Sequence, residues 1–455
     1  MKVCKFGGTS LASAQQIKKA AAIVTSDPAR RIIVVSAPGK RFEEDTKMTD
    51  LLISLADAAL SGGDTANGFR RVMDRYDEII SGLGLDTGLL PAIEEDLYNR
   101  LHTNRDNPPL FLDTLKASGE DTSARLFAAY LNSIGLAAEY CSPKDAGLLL
   151  DEPPAYPRLL PEAHSRLAAL KDREKISVFP GFFGFSASGT LRTFNRGGSD
   201  ITGSILAAAV QAELYENFTD VDSVFAANPR VVDQPASISR MTYREMRELS
   251  YAGFAVLHDE ALMPVYRAAV PLCIKNTNNP DAPGTMITAE RDFSERPVTG
   301  ISSDSGFSIL YVSKYLMNRE IGFGRKLLQI LEEEHISYEH VPSGIDDLSI
   351  IIRSRQLRPG QEERIVGRVK AELQADDVYF RHHFSMVVLV GEGMKHTTGL
   401  TARAAAAIAR TGANIEMINQ GSSEVSLSFG VLEHDETKIL RELYKEFFSP
   451  VYAGL

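Results

Sequence analysis

The feature that most constrains the fold is a stretch with no polar break. In RIIVVSAPGK, Arg31 to Lys40, four consecutive β-branched residues run directly into a loop of serine, proline and glycine. Such a strand has no face to give to water. Both faces must be covered, as in a parallel sheet with helices on either side. The same theme recurs. Val3 to Phe6 reads as a strand, GGTS as a turn, and Leu11 to Val24 as an amphipathic helix. KISVFPGFFG, Lys175 to Gly184, is again a strand meeting glycine, and AELYENFTDVDSVFAANPRVV, Ala212 to Val232, is a strand followed by an Asp-rich loop. PLCIKNTNNPDAPGT, Pro271 to Thr285, closes this region with turn-forming residues. Strands alternating with helices predict a layered α/β domain with a mainly parallel sheet. Between Asp64 and His102 the pattern is helical and charged, which predicts a helical excursion beside that sheet.

After about Thr285 the texture changes. GFSILYVSKYLMNREIGFGRKLLQILEEEHISYEHV reads as strand, loop, amphipathic helix and strand, and DDLSIIIRS and Glu362 to Leu373 add a strand and a helix. FSMVVLVGEGMKHTTGLTARAAAAIARTGANIEMINQG, Phe384 to Gly421, repeats the order, and EVSLSFGVL with the helix from Glu436 to Phe447 completes it. Two β-α-β-β-α-β patterns of about 70 residues each predict tandem ferredoxin-like modules.

Composition narrows the function classes. The 455 residues predict two to four domains, and 44% apolar with 24% charged residues is the mix of a globular protein. A net charge of −11 gives no support to nucleic-acid binding, so an anionic substrate must be drawn by local cations. Cys4, Cys141 and Cys273 match no metal or disulfide spacing and read as three buried reduced thiols. No apolar run is long enough to span a bilayer, and MKVCKFGGTS meets glycines too early for a signal peptide, so a cytoplasmic protein is expected.

Several short constellations could carry chemistry. In KFGGTS, Lys5 to Ser10, Gly7 and Gly8 allow backbone N–H groups to approach an anion at a helix start. The lysine precedes the glycines, so this is not the Walker pattern, and a plain strand–helix turn would look the same. In SAPGK, Ser36 stands where an open α/β sheet usually binds its ligand, although an ordinary turn is the plainer reading. Thr49 and Asp50 read first as a helix cap. SGEDTSARL, Ser118 to Leu126, places Glu120 just inside a helix start, where the dipole alone would favour it. FNRGGSDITGSILAAAV, Phe194 to Val210, puts Arg196, Gly197, Gly198, Ser199 and Asp200 on one turn. Arg196 there can grip a carboxylate with two parallel hydrogen bonds, or simply pair with Asp200. Thr219, Asp220 and Asp222, with Arg230 downstream, read either as an Asp-rich turn or as a nucleotide pocket. No obvious nucleophile–base pair and no zinc-type cluster occurs. Phosphoryl transfer to a carboxylate needs neither, because the acceptor is already ionised; it needs positioning and charge neutralisation.

Taken together and in order, KFGGTS, VVSAPGKR, SGEDTSARL, GFFG, FNRGGSDIT, NFTDVDSVFAANPRVV and IKNTNNPDAPGT resemble the aspartokinases, within the amino acid kinase family. The resemblance covers essentially the whole chain. It implies an amino-acid-kinase-like three-layer sandwich over residues 1–290, with the helical excursion at about 64–102. Two ACT modules, 305–380 and 381–455, would follow, a strand at about 298–304 returning to the second. With no room for a fused dehydrogenase before Leu455, the chain resembles the monofunctional form. The implied reaction moves the ATP γ-phosphate to the β-carboxylate of L-aspartate, the first step toward lysine, threonine and methionine.

Carried over position by position, the resemblance makes Lys5 the cation on the transferring phosphoryl group, with Gly7 and Gly8 as backbone donors and Asp200 orienting Lys5. Arg196 would clamp the α-carboxylate and Glu120 the ammonium, while Ser36, Thr49, Phe182 and Ser199 would line the aspartate site. Thr219, Asp220, Phe225 and Arg230 would border ATP. Mg²⁺ would sit on phosphate oxygens and water, with no protein metal cage. Met317, Gly322, Phe323, Tyr338, Glu339 and Ser343 would line an effector site, the Glu339 carboxylate suiting a cationic effector such as lysine. The ACT modules imply a homodimer or tetramer. Three positions depart from the family pattern. GFAVLHDEA has Ala255 where many members carry a lysine, and Asp259 follows; Phe225 replaces a common tyrosine; and the loop SAPGKRFEEDTKMTD is longer and more charged. The loss at Ala255 keeps open an amino-acid-sensing protein with an impaired kinase domain. A kinase of another small acid in the same superfamily is a further alternative.

Overall fold

The strand Arg30–Val35 does lose both faces to protein, and Ile32 to Val35 are completely buried. It lies inside an eight-stranded sheet of the computed structural model, which describes residues 1–152, 157–195, 197–254, 256–293, 296–421 and 425–449. The strand order is Arg240–Thr242, Thr285–Thr288, Leu272–Asn276, Leu214–Thr219, Lys2–Phe6, Arg30–Val35, Ile176–Pro180, Ala138–Tyr140. Every pairing described here is parallel except that of Leu272–Asn276 with Thr285–Thr288. This sheet belongs to the first of two compact units, Met1–Val224, Ser237–Met246 and Ala255–Arg291.

Alternation along Lys2–Phe6 sorts its side chains between two layers. Cys4 and Phe6 enter an apolar core with helices Ala14–Thr25, Met48–Leu60, Ala66–Leu83, Leu89–Leu101 and Pro108–Ser133. Lys5 points the other way, to helix Gly198–Ala209. The result is helix, sheet, helix. Helices Ala66–Leu83 and Leu89–Leu101 are the charged excursion seen in sequence. One boundary differs from expectation. Glu120 is not near a helix start but midway along Pro108–Ser133, whose cap is Asn107, accepting from the Leu110 N–H at 3.3 Å. Ser118 and Gly119 imitate a helix start because both are small. Smallness here serves packing, since a Cβ on Gly119 would lie 2.8 Å from the Ala37 Cβ.

The second unit comprises Phe225–Ala236, Arg247–Phe254 and Asp292–Leu455. Its five-stranded sheet is antiparallel, in the order Asp347–Arg353, Gly300–Ser313, Asp377–Val390, Ser426–Leu432, Met417–Gln420. Two strands of 14 residues, Gly300–Ser313 and Asp377–Val390, run through the whole sheet. Their halves serve two cores. Ile301, Val387 and Leu389 pack with helices Leu400–Arg410 and Glu436–Phe448. Leu310, Val312 and Val378 pack with helices Phe323–Glu333 and Gln361–Leu373. The register shifts between Asp304 and Phe307, where Gly306 takes φ +82°, as one module passes into the other. The alternate residues Phe307, Ile309, Ile351, Phe384 and Met386 form a smaller apolar cluster of their own. Cys4, Cys141 and Cys273 are free and buried. Among the described residues no helix is long and apolar enough to cross a membrane.

Candidate active site

Phe6, Val35, Pro180 and Phe218 stand in register across four parallel strands. The loops that follow them therefore reach one rim, at the carboxyl ends where open α/β sheets bind ligands. Glycine lets these loops touch. A Cβ on Gly39 would fall 2.5 Å from the Gly8 carbonyl carbon, and the Gly39 N–H donates to the Gly8 oxygen at 2.7 Å. Gly181 likewise lies against Ser199, 2.6 Å from a built Cβ to its Oγ. Phe182 holds φ +77°, a costly conformation for a side chain of this size, with its N–H donating to Thr202 Oγ1 at 3.0 Å. The Lys116 ammonium lies 5.6 Å from the centre of the Phe182 ring.

The chemical centre is a charge pair. Lys5 Nζ lies 2.6 Å from Asp200 Oδ1, and both side chains are mostly buried. Asp200 is the third residue of helix Gly198–Ala209, whose entry requires Gly197 at φ +79°. The Tyr215 hydroxyl donates to the Asp200 carbonyl at 3.1 Å. Gly7 only partly meets its expected role. Its N–H donates to the Phe218 carbonyl at 3.0 Å, so it is not available to an anion. The cause is that ladder pairing continues one residue beyond Phe6. A Cβ built on Gly7 would lie 3.4 Å from Lys5 Nζ, an ordinary contact, so neither space nor its φ of −70° requires glycine here. Gly8 opens the short helical turn Gly8–Leu11.

Glu120 is buried, and its Oε2 has no hydrogen-bond partner. Burial pushes its carboxyl up to about 8, against the Ala37 and Glu120 backbone N–H groups and the Lys116 charge. Ser36 continues from the second strand, its N–H donating to the Phe6 carbonyl at 3.2 Å. Thr49 is the second residue of helix Met48–Leu60 and half-buried. Thr219 donates to Asp220 at 3.2 Å, and Asp222 accepts from Asn276 at 2.7 Å. Phe225 and Arg230 fall in the second unit, Arg230 exposed. Arg196 and Ala255 lie outside the described residues.

Sequence reasoning missed Asn217, whose amide donates to Asp200 Oδ1 at 2.9 Å and whose oxygen accepts from Lys5 at 3.4 Å. A polar residue inside the otherwise covered strand YENFT was the available signal. It also missed Thr277, whose hydroxyl meets that of Ser10 at 2.7 Å.

In the second unit, Met317 and Phe323 are buried in one module's core, and Gly322 enters its helix at φ +83°. Tyr338 and Ser343 are exposed. Glu339 does not join them. It pairs with Arg353 at 3.1 Å and with the Tyr251 hydroxyl. It lines a cleft of about 380 Å³ with Phe307, Met386 and Asp304. The Arg353 guanidinium already neutralises this carboxylate, so the expectation of Glu339 as an open carboxylate for a cationic effector is corrected.

The amino acid kinase family matches residues 1–276 and an ACT domain matches residues 387–447. The chain is 54% identical to aspartokinase 3 of Bacillus subtilis (strain 168), over 99% of both chains. It is 28% identical to the chloroplastic aspartokinase 1 of Arabidopsis thaliana, over 98% of this chain and 80% of that one. The crystal structure of Clostridium acetobutylicum aspartate kinase matches with a TM-score of 0.84 at 36% identity, covering 98% of this chain and 100% of that one. Escherichia coli aspartokinase III, crystallised with aspartate and ADP, shares the fold with a TM-score of 0.79 at 23% identity, over 98% and 100% of the two chains. The chain belongs to the aspartokinases, within the amino acid kinase family.

Proposed function

We propose that the rim of the first unit binds ATP and L-aspartate side by side. The chain is an ATP-dependent aspartate kinase with a C-terminal ACT region. A β-carboxylate oxygen attacks the γ-phosphorus, and the bond to the β,γ-bridging oxygen breaks. The products are 4-phospho-L-aspartate and ADP. No general base is required, because the acceptor is ionised near neutral pH. The observation that carries this reading is the buried Lys5–Asp200 pair, 2.6 Å apart, at the carboxyl ends of central parallel strands. Lys5 neutralises the phosphoryl group as charge shifts to the leaving oxygen, and Asp200 aims it. The open oxygen of Glu120 takes the substrate ammonium. Arg196 clamps the α-carboxylate, and Ser36, Thr49, Phe182 and Ser199 border the amino acid. Gly8, Thr219 and Asp220 serve the nucleotide. Mg²⁺ arrives with ATP, held by phosphate oxygens and water; among the described residues there is no group of three or more His, Cys, Asp or Glu side chains able to hold a metal.

The ACT region senses an amino acid at Met317, Gly322, Phe323, Tyr338 and Ser343, with lysine the first candidate, and joins subunits into a homodimer or tetramer. Use of ATP and three reduced thiols fit the cytoplasm. An impaired kinase is disfavoured by the intact Lys5, Asp200 and Glu120. The deciding experiment is an ADP-release assay with L-aspartate, L-glutamate or no acceptor, each with and without lysine and threonine. ADP release dependent on aspartate and absent with glutamate is expected; equal release without acceptor would overturn the reading.

A further inference from the structure

We infer that Asn217 is a positioning residue that holds Asp200 while the Lys5 ammonium turns from Asp200 toward the phosphoryl group. The inference rests on the reading of Lys5 and Asp200 given above. Lys5 and Asn217 are direct partners on neighbouring parallel strands, so their side chains leave the sheet on the same face. Asn217 is only 2% exposed, and its strand is held on both edges, by Lys2–Phe6 and by Leu272–Asn276. Its backbone is therefore fixed on both sides, and burial confines its carboxamide.

The three side chains form a closed triangle. Asp200 Oδ1 accepts from both Lys5 Nζ at 2.6 Å and Asn217 Nδ2 at 2.9 Å, while Asn217 Oδ1 faces Lys5 Nζ at 3.4 Å. In this structure Lys5 is neutralised by Asp200. To serve a phosphoryl group, the ammonium must give up part of that pairing. A buried carboxylate stripped of its partner is costly. Asn217 lowers the cost, because its amide stays on the oxygen that the ammonium vacates. Its own oxygen keeps a weak hold on Lys5 without adding charge. An aspartate at 217 would put a second anion on Lys5 and retain it. A leucine would leave Asp200 Oδ1 with nothing when Lys5 turns.

The test uses the full-length enzyme with Asn217→Leu, Asn217→Asp, Lys5→Ala and the double variant Lys5→Ala/Asn217→Leu. Thermal melting establishes the folded fraction of each, and rates are taken per folded molecule. The expected result is a fall in kcat of about tenfold or more in both Asn217 variants. That is smaller than the roughly hundredfold or larger loss when a donor to the reacting charge itself is removed. The aspartate KM should stay within about twofold, since the amino acid is held elsewhere. In the Lys5→Ala background, Asn217→Leu should cost nothing further, because it acts through the lysine. If Asn217→Leu does not fold, Asn217→Asp carries the same comparison. An unchanged kcat in a folded Asn217 variant, or additive losses in the double variant, would overturn the inference and leave the role of Lys5 standing. A normal kcat in Lys5→Ala would overturn the reading beneath it.

Discussion

Glu120 joins burial, charge and pH most directly. Its carboxyl is pushed up to about 8 because burial penalises the ionised form more than two backbone N–H groups and Lys116 can restore. The folded state thus binds a proton that the unfolded chain releases between the ordinary carboxylate range and about 8. Stability from this group falls as pH rises through that window. We predict that Glu120→Gln melts higher than the parent at about pH 9 and shows no such gain at about pH 5. The same substitution should raise the aspartate KM, since the ammonium loses its ionic partner. Because an ammonium pairs with carboxylate rather than carboxylic acid, aspartate binding near pH 7 should release a proton. Titration calorimetry in two buffers of different ionisation enthalpy measures that release; identical heats would remove Glu120 from the ammonium site. For Lys5→Ala, kcat should fall about a hundredfold or more with little change in aspartate KM, as expected for an interaction realised in the transition state. Steady-state kinetics will show whether it does.

At the scale of elements, the site depends on loops brought within backbone contact. Gly39→Ala would set a Cβ 2.5 Å from a Gly8 backbone atom that no rotamer change can move. The two loops must part by about an ångström, a displacement that can cost about a hundredfold in rate. We predict a loss of that order in kcat/KM, with the sheet intact by circular dichroism; a variant of normal activity would show that the contact of these two loops does not organise catalysis. The glycines in KFGGTS and SAPGK were legible as turn residues. That they touch each other was not, because 31 positions separate Gly8 from Gly39 and local pattern carries no contact information. Glu120 shows the same limit. Its segment has the short polar residues of a helix start, yet those residues are small so that the middle of a 26-residue helix can reach Ala37.

At the scale of the whole molecule, the regulatory unit is not simply the C-terminal part of the chain. Phe225–Ala236 and Arg247–Phe254 belong to it although they lie within the kinase region of the sequence. Truncation after Arg291 should abolish inhibition by amino acids such as lysine or threonine. It should also destabilise the fragment, because buried Ala226, Ala227 and Leu249 would lose their own unit. Assays of inhibition together with melting separate the two effects. Inhibition that survives in the fragment would place the sensor outside the ACT region.

By itself the sequence determined the alternation of strand and helix, the glycine turns after the strands and the ordered motifs of an aspartokinase. Each depends on residues close in the chain, where periodicity and backbone preference act directly. Tertiary structure alone decided that Gly7 gives its N–H to Phe218, that Glu339 turns to Arg353, and that Asn217 completes the Lys5–Asp200 pair. Those outcomes follow from which strands become neighbours and which face each residue takes, and contacts spanning 212 positions, as between Lys5 and Asn217, exist only once the sheet has closed around them.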